Sequence, residues 1–388
     1  MKITDIKTLV VNAQMRNWVF VKLETDQPGL YGWGEGTLEW KTRAVVGCVE
    51  DFKPMLVGQD PTRIEFLWQI MYRHSFWRLG VIGTTALSAI EQACWDILGK
   101  SLGQPVYRLL GGRVRDKVRM YTHLGLGEMT AVYQTFDVAP LLERAQAVLE
   151  KGYRAVKVVF VPFSQPLMGL PAVKHFATLM EKLRDAVGDE VDIMIDFHGR
   201  TTTGQAIEYI RAVEEFHPFF CEEPVPPEQP DALLEVRRSV RVPIATGERL
   251  ATRWEFRRVC ELQACHVLQP DLSHCGGLLE AKKIASLGET YLMGIAPHNP
   301  NGPVANAAAL HFDLATPNFL IQEDMVGDVP WRFDVVKTAL RSEQGYWLPN
   351  DQPGLGIDID EAEARKHPFQ QEVLAQMVFH PDGSVAEW

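Results

Sequence analysis

The stretch DIMIDFHG, residues 192–199, passes through three apolar residues into an aspartate, an aromatic residue, a histidine and a glycine. A short apolar run of this kind reads as a buried strand, and core packing alone does not call for its polar end. Seven further stretches follow the same plan: RMYTHLG (119–125), AVKVVF (155–160), FFCEEPV (219–225), PIATGER (243–249), HVLQPDL (266–272), LMGIAPH (292–298) and LIQEDM (320–325). Most are separated by a segment whose apolar residues recur at helical spacing. Alternating strands and helices imply a parallel sheet, and eight such units over about 200 residues match a closed (β/α)8 barrel, an α/β fold.

Polar residues stand at the carboxyl ends of these stretches: Asp196, Glu222, Glu248, Asp271, His298 and Glu323, separated by 26, 26, 23, 27 and 25 residues. Each gap is the length of one strand, helix and two loops, so in a barrel these side chains converge on one mouth, where active sites of this fold lie. Asp196 and His198, two apart on one strand, are expected on the same face. Three carboxylates from neighbouring strands raise each other's pKa unless a cation balances them. An all-oxygen set favours a hard ion that keeps exchangeable waters, so Asp196, Glu222 and Glu248 are expected to bind one Mg2+. Glu223 is turned away by alternation and is expected to play a supporting part. Asp271 beside His298 would fix the imidazole tautomer and raise its basicity, which suits His298 to abstracting a proton. Glu323, one strand later, is placed to accept a hydrogen bond from substrate or to support the metal.

The flanks differ from the barrel. From the start to about residue 112, strand-like KITDIKTLVV, WVFVKLET and LYGWGE precede a long helical pattern in VIGTTALSAIEQACWDILGKSLG, which indicates an α+β unit. The tail from about residue 348 is strand-like and loop-like and is expected to return to that unit. The expected division is an α+β capping domain at 1–118, the barrel at 119–347, and a C-terminal segment at 348–388 that rejoins the cap.

A formal net charge of -11, with no run of Lys and Arg, argues against nucleic acid as a partner. No apolar run of about 18 residues and no signal-peptide pattern is present, so no membrane partner and a cytoplasmic location are expected. The six cysteines form no CxxC pair and are expected to be reduced and mostly buried. GWGEG is not followed by a helix in the register that a dinucleotide fingerprint needs.

DFHGR, CEEPV, TGERL, QPDLSH, APHNPNGP and IQED, in this order and spacing, resemble the mandelate racemase branch of the enolase superfamily, and most closely its sugar-acid dehydratases. WGEG, WDILGKSLGQPVYRLLGG and DGSVAEW extend the resemblance over nearly the whole chain. It implies Mg2+-assisted removal of the proton alpha to a carboxylate, then loss of the 3-hydroxyl to give a 2-keto-3-deoxy sugar acid, with a galactonate-like aldonate favoured. By the same resemblance Asp196, Glu222 and Glu248 hold the metal, His298 with Asp271 is the base, and His198 is the acid that protonates the departing hydroxyl. Racemases of this branch resemble each other in a K-x-K on the second strand, whereas here Lys157 is followed by Val158 and Val159. That departure favours one-base elimination over racemisation. An epimerase or racemase on the same fold, or a weakly catalytic regulatory relative, are the competing readings.

Substrate specificity in this family is set by cap loops, which here correspond to NAQMRNW (12–18) and MYRHSFWRLG (71–80). Arg16 and Arg78 on those loops, Lys157 on the second strand, and Trp388 in the tail are the candidate substrate contacts. A lengthened loop, FVPFSQPLMGLP, follows the second strand. The expected partner is a small-molecule sugar acid, and a homo-oligomer is expected.

Overall fold

The computed structural model describes residues 1–124, 138–161, 167–325, 327–372, 379–380 and 382–387. Three antiparallel strands, β1 (Ile3–Ala13), β2 (Arg16–Thr25) and β3 (Tyr31–Glu35), open the chain. They are followed by helices α1 (Thr42–Leu56), α2 (Ile64–Arg73) and α3 (Gly80–Leu102), and by the short α4 (Val106–Leu109). The spacing of glycines in YGWGE explains how α3 seats on β3. A Cβ at Gly32 or Gly34 would lie 2.1 or 1.9 Å from the backbone oxygens of Ala93 and Ala89, so only glycine admits the helix this close. The helix then stops at Gly103, which takes the left-handed conformation.

Eight strands follow: β4 (Val118–His123), β5 (Ala155–Val158), β6 (Asp192–Asp196), β7 (Phe220–Glu222), β8 (Ile244–Thr246), β9 (Val267–Leu268), β10 (Gly294–Ile295) and β11 (Gln322–Glu323). Successive strands from β4 to β10 pair in parallel, and β11 pairs in parallel with β4. A parallel bridge between Ile295 and Phe319 closes the ring on its other side. Helices α5 (Val138–Glu150), α6 (Leu170–Val187), α7 (Thr203–Arg211), α8 (Pro230–Ser239), α9 (Thr252–Leu262), α10 (Gly277–Thr290) and α11 (Pro303–Leu314) lie between them in sequence. This is the barrel expected from the alternation, with shorter strands. The final residues of most stretches leave the ladder, and those departures carry Glu248, Asp271 and His298.

A hairpin at the end of the barrel segment was not evident in the sequence. Strands β12 (Ser342–Glu343) and β13 (Tyr346–Trp347) pair antiparallel, and β13 adds antiparallel to β4. Gln344 and Gly345 between them both have positive φ, as a tight two-residue hairpin turn demands. Beyond it the tail returns to the cap: Asn12 donates its backbone N–H to the His367 carbonyl, and Asn17 donates to Gln370 and Glu372. The last helix among the described residues, α12 (Glu361–Ala364), is capped by Asp360. No helix among the described residues is long and apolar enough to cross a membrane.

Candidate active site

One inward residue from each strand or its edge forms an apolar layer inside the barrel: Tyr121, Ala155, Met194, Phe220, Ala245, Val267, Ala296 and Ile321. Two residues further along, the same alternation brings up His123, Lys157, Asp196, Glu222, Gly247, Gln269, His298 and Glu323. The barrel interior thus changes from wholly apolar to almost wholly polar in one pleat. Gly247 is the exception. Its φ is +145°, and a Cβ there would meet the Phe256 ring at 2.8 Å and the Gln269 amide at 2.9 Å. The glycine breaks the alternation so that the next residue, Glu248, joins the carboxylates of the two preceding strands.

Asp196, Glu222 and Glu248 accordingly offer oxygens that all lie within 4.8 Å of one another. Burial would raise the Asp196 pKa, but His198 and Lys157 outweigh it and hold the carboxylate well below its usual range. Glu222 and Glu248 move the other way. Burial drives both well up, reinforced by Asp196 in the first case and by Glu223 in the second. Glu248 Oε2 is also buried without a hydrogen-bond partner among the described residues. An all-oxygen set with surplus negative charge suits a hard divalent cation. Glu223 is buried and accepts from Thr246 Oγ1 at 3.1 Å and from the Arg249 guanidinium.

His198 reaches this cluster by a route that alternation did not foresee. Strand β6 ends at Asp196, and His198 lies beyond it with φ of 49°. The turn is held by the His198 N–H donating to Asp196 Oδ1 at 2.9 Å, and it brings Nε2 to 3.2 Å from Asp196 Oδ2. The two residues are neighbours because of a tight turn, not because they share a strand face.

On the far side, His298 Nδ1 lies 2.9 Å from Asp271 Oδ2, while Nε2 lies 3.4 Å from Glu248. Asp271 also accepts from the Ser273 amide at 2.7 Å and from Asn301 at 3.0 Å. Burial would raise the Asp271 pKa, yet His274 and the hydrogen bond from His298 keep it low. An ionised Asp271 therefore holds the proton on Nδ1 and leaves Nε2 facing the cavity. Burial would depress His298, but Glu323 and Asp271 push its pKa up to about 9.

Lys157 and Glu323 sit beneath these groups, both fully buried. The ammonium lies 2.9 Å from Glu222, 2.8 Å from Glu323 and 3.4 Å from Asp196. Lys157 thus makes carboxylate contacts within the barrel and is not part of the cavity lining. Glu323 also accepts from the Asn299 amide at 2.8 Å and pairs with His123 Nε2 at 2.8 Å. His123 was missed in the sequence because the first strand lies 73 residues before Asp196, outside the regular series, although THLG ends its strand as the others do.

Between barrel mouth and cap lies a cavity of about 430 Å3. Arg16 lines it, as do Glu39 and Lys41, which the sequence did not single out. Arg78 does not: it is exposed, with its guanidinium 4.9 Å from the Tyr72 ring. Trp388 lies outside the described residues, as does 162–166 in the loop after the second strand.

Comparison with known proteins bears on this geometry. Residues 2–111 match the model of the mandelate racemase/muconate lactonizing enzyme N-terminal domain, and residues 140–363 match the enolase C-terminal domain-like model. The chain is 39% identical to a D-galactonate dehydratase of Variovorax paradoxus and 41% identical to one of Ralstonia nicotianae, in both cases over the full length of both chains. Among solved structures, an enolase from Agrobacterium radiobacter, provisionally named a galactarate dehydratase and bound to sodium and L-malate, superposes with a TM-score of 0.91. It shares 31% identity over the whole of both chains.

Proposed function

The chain belongs to the mandelate racemase/muconate lactonizing enzyme family, and from that premise we propose that it is a Mg2+-dependent sugar-acid dehydratase acting on a galactonate-like aldonate. The names of its full-length relatives support a sugar-acid hydro-lyase. The observation that carries the reading is the placement of two imidazoles on separate strand ends, both against the carboxylate cluster: His198 Nε2 is 3.2 Å from Asp196 and His298 Nε2 is 3.4 Å from Glu248.

In this reading Asp196, Glu222 and Glu248 hold the ion. Bound there, a divalent cation would supply the positive charge that makes a carbon next to a carboxylate acidic enough to lose its proton. His298 takes that proton on Nε2, and Asp271 stabilises the imidazolium that results. The electron pair left at C2 expels the 3-hydroxyl, which leaves as water with a proton from His198. Ketonisation of the enol then gives the 2-keto-3-deoxy acid. Glu323 and Asp271 favour the protonated form of His298, which supports the imidazolium formed when Nε2 takes the alpha proton.

Racemisation would need a second base on the opposite face. Lys157, which occupies the second strand, is fully buried and held by three carboxylates, and Val159 replaces the second lysine. The proposal further takes a small-molecule substrate, no nucleic-acid or membrane partner, a homo-oligomer and a cytoplasmic setting. Six free cysteines, five of them buried, accord with a reducing compartment.

The test uses galactonate and Mg2+ in deuterated water, following 2-keto acid formation and deuterium entry at C2. His298→Asn is expected to lose both activities, whereas His198→Asn keeps exchange more than dehydration. Equal loss of both in the two variants would refute the division between base and acid. Exchange with a new C2 centre and no keto acid would establish an epimerase instead.

A further inference from the structure

We propose that the Arg16–Glu39 ion pair reads the far end of the substrate as an uncharged polyol, and so selects monocarboxylate over dicarboxylate sugar acids. This rests on the sugar-acid reading above and assigns the residues that set its specificity. The cavity has a floor and a roof. The barrel supplies the floor, with the carboxylate cluster, His198 and His298; the cap supplies the roof, with residues 15–16 and 37–41. A substrate whose carboxylate and alpha carbon lie at the floor must direct its remaining carbons toward the roof.

Three charged side chains stand there. Arg16 is only 4% exposed; its Nη2 lies 3.0 Å from Glu39 Oε1, and its Nη1 donates to the Pro300 carbonyl. Glu39 Oε1 is buried and accepts no hydrogen bond of good geometry, although it is within ion-pairing distance of Arg16. Both residues line the cavity and the Glu39 side chain is 21% exposed, so the pair brings a guanidinium and a carboxylate to the roof together with no net charge. Such a pattern matches hydroxyl groups, each of which both donates and accepts. A second carboxylate in the same place would find Arg16 already neutralised and Glu39 repelling it, which is selection against a competitor by like charge. Lys41, the third group, makes no ion pair among the described residues and is exposed, so solvent screens its charge.

The experiment measures binding of galactonate and of galactarate, which share chain length and hydroxyl configuration, to the magnesium-loaded protein by titration calorimetry. Wild type is expected to favour the monoacid. Glu39→Gln, nearly isosteric, leaves Arg16 unbalanced and should move the ratio of the two dissociation constants toward the diacid by about tenfold. Glu39→Asp, which keeps the charge, should retain the wild-type preference. Lys41→Met should change the ratio by no more than roughly twofold. An unchanged ratio in Glu39→Gln, or an equal shift in Lys41→Met, overturns the proposal. A wild type that binds galactonate without dehydrating it refutes the dehydratase reading alone, since the binding ratios still judge the ion pair. A protein that binds neither acid refutes both.

Discussion

Replacing Lys157 with methionine tests how the barrel tolerates its charges. The ammonium has three carboxylates at 2.8, 2.9 and 3.4 Å, and every partner is buried. At an effective dielectric of about 20, each contact near 3 Å contributes about 5 kcal/mol of attraction before the cost of desolvation. Burial alone would lower the Lys157 pKa, yet Glu222 and Glu323 raise it well above the ordinary value, so attraction wins over desolvation. Removing one partner of a buried charge network typically costs about 3 to 5 kcal/mol, because the others remain uncompensated. Against a total stability of about 5 to 15 kcal/mol this is a large loss. The metal-free variant is therefore expected to unfold at markedly lower urea than wild type, as followed by circular dichroism. Magnesium should restore more stability to the variant than to wild type, because its ligands have lost their competing cation and the shift grows with affinity as RT ln(1 + [L]/Kd). A metal-free variant within about 0.5 kcal/mol of wild type, or an equal magnesium effect on both, would refute the argument.

Two further outcomes follow from buried groups away from the carboxylate cluster. Glu35, at the end of β3, accepts from the amides of Gly302, Val304 and Ala305 at 2.6, 3.1 and 2.9 Å, and so ties the cap to the start of α11, just after the His298 loop. Glu35→Ala leaves these amides without their acceptor and should cost about 2 to 3 kcal/mol in thermal or chemical unfolding, while lowering turnover; a variant with wild-type stability would show that the cap is held elsewhere. His311 is fully buried, accepts from the Tyr107 amide at 3.2 Å, and has its pKa lowered by burial to about 4. Because the folded value lies below the unfolded one, its contribution is present above about pH 6.5 and is lost as pH falls toward 4. Wild type should lose about 2 kcal/mol more than His311→Gln between pH 7 and pH 5, and parallel stability curves would refute this.

The barrel was legible because its period is long and its signal is doubled: an apolar run gives the strand, and a polar end gives its direction. The six polar positions spaced 23 to 27 residues apart do meet around one mouth. Local geometry was less accessible. Counting in twos from the apolar layer places residue 247 in the polar layer, and only the positive φ of Gly247 hands that place to Glu248. The turn at His198 is a similar case, in which backbone conformation decides what alternation cannot. Glu39 was hidden for another reason. Its partner Arg16 is the first residue of β2, and nothing in the segment TLEWK marks a residue that will face a barrel more than a hundred positions away.

The two interior layers also bear on the proposal that the site takes a cation from outside the chain. Asp196, Glu222, Glu248, Asp271 and Glu323 converge at the mouth, whereas Lys157 is the one permanently charged side chain that contacts this group from within the barrel among the described residues. Three relief routes exist: carboxylates can take up protons, imidazoles can take up protons, or a metal can bind. Burial and neighbouring carboxylates drive Glu222 and Glu248 well up, whereas Glu323 and Asp271 raise His298 to about 9. A barrel built only for stability would fill this layer with neutral side chains, since buried charge seldom repays its desolvation. The proposed divalent cation would balance acids that share one buried lysine, and it would supply the charge that a weakly acidic carbon next to a carboxylate requires.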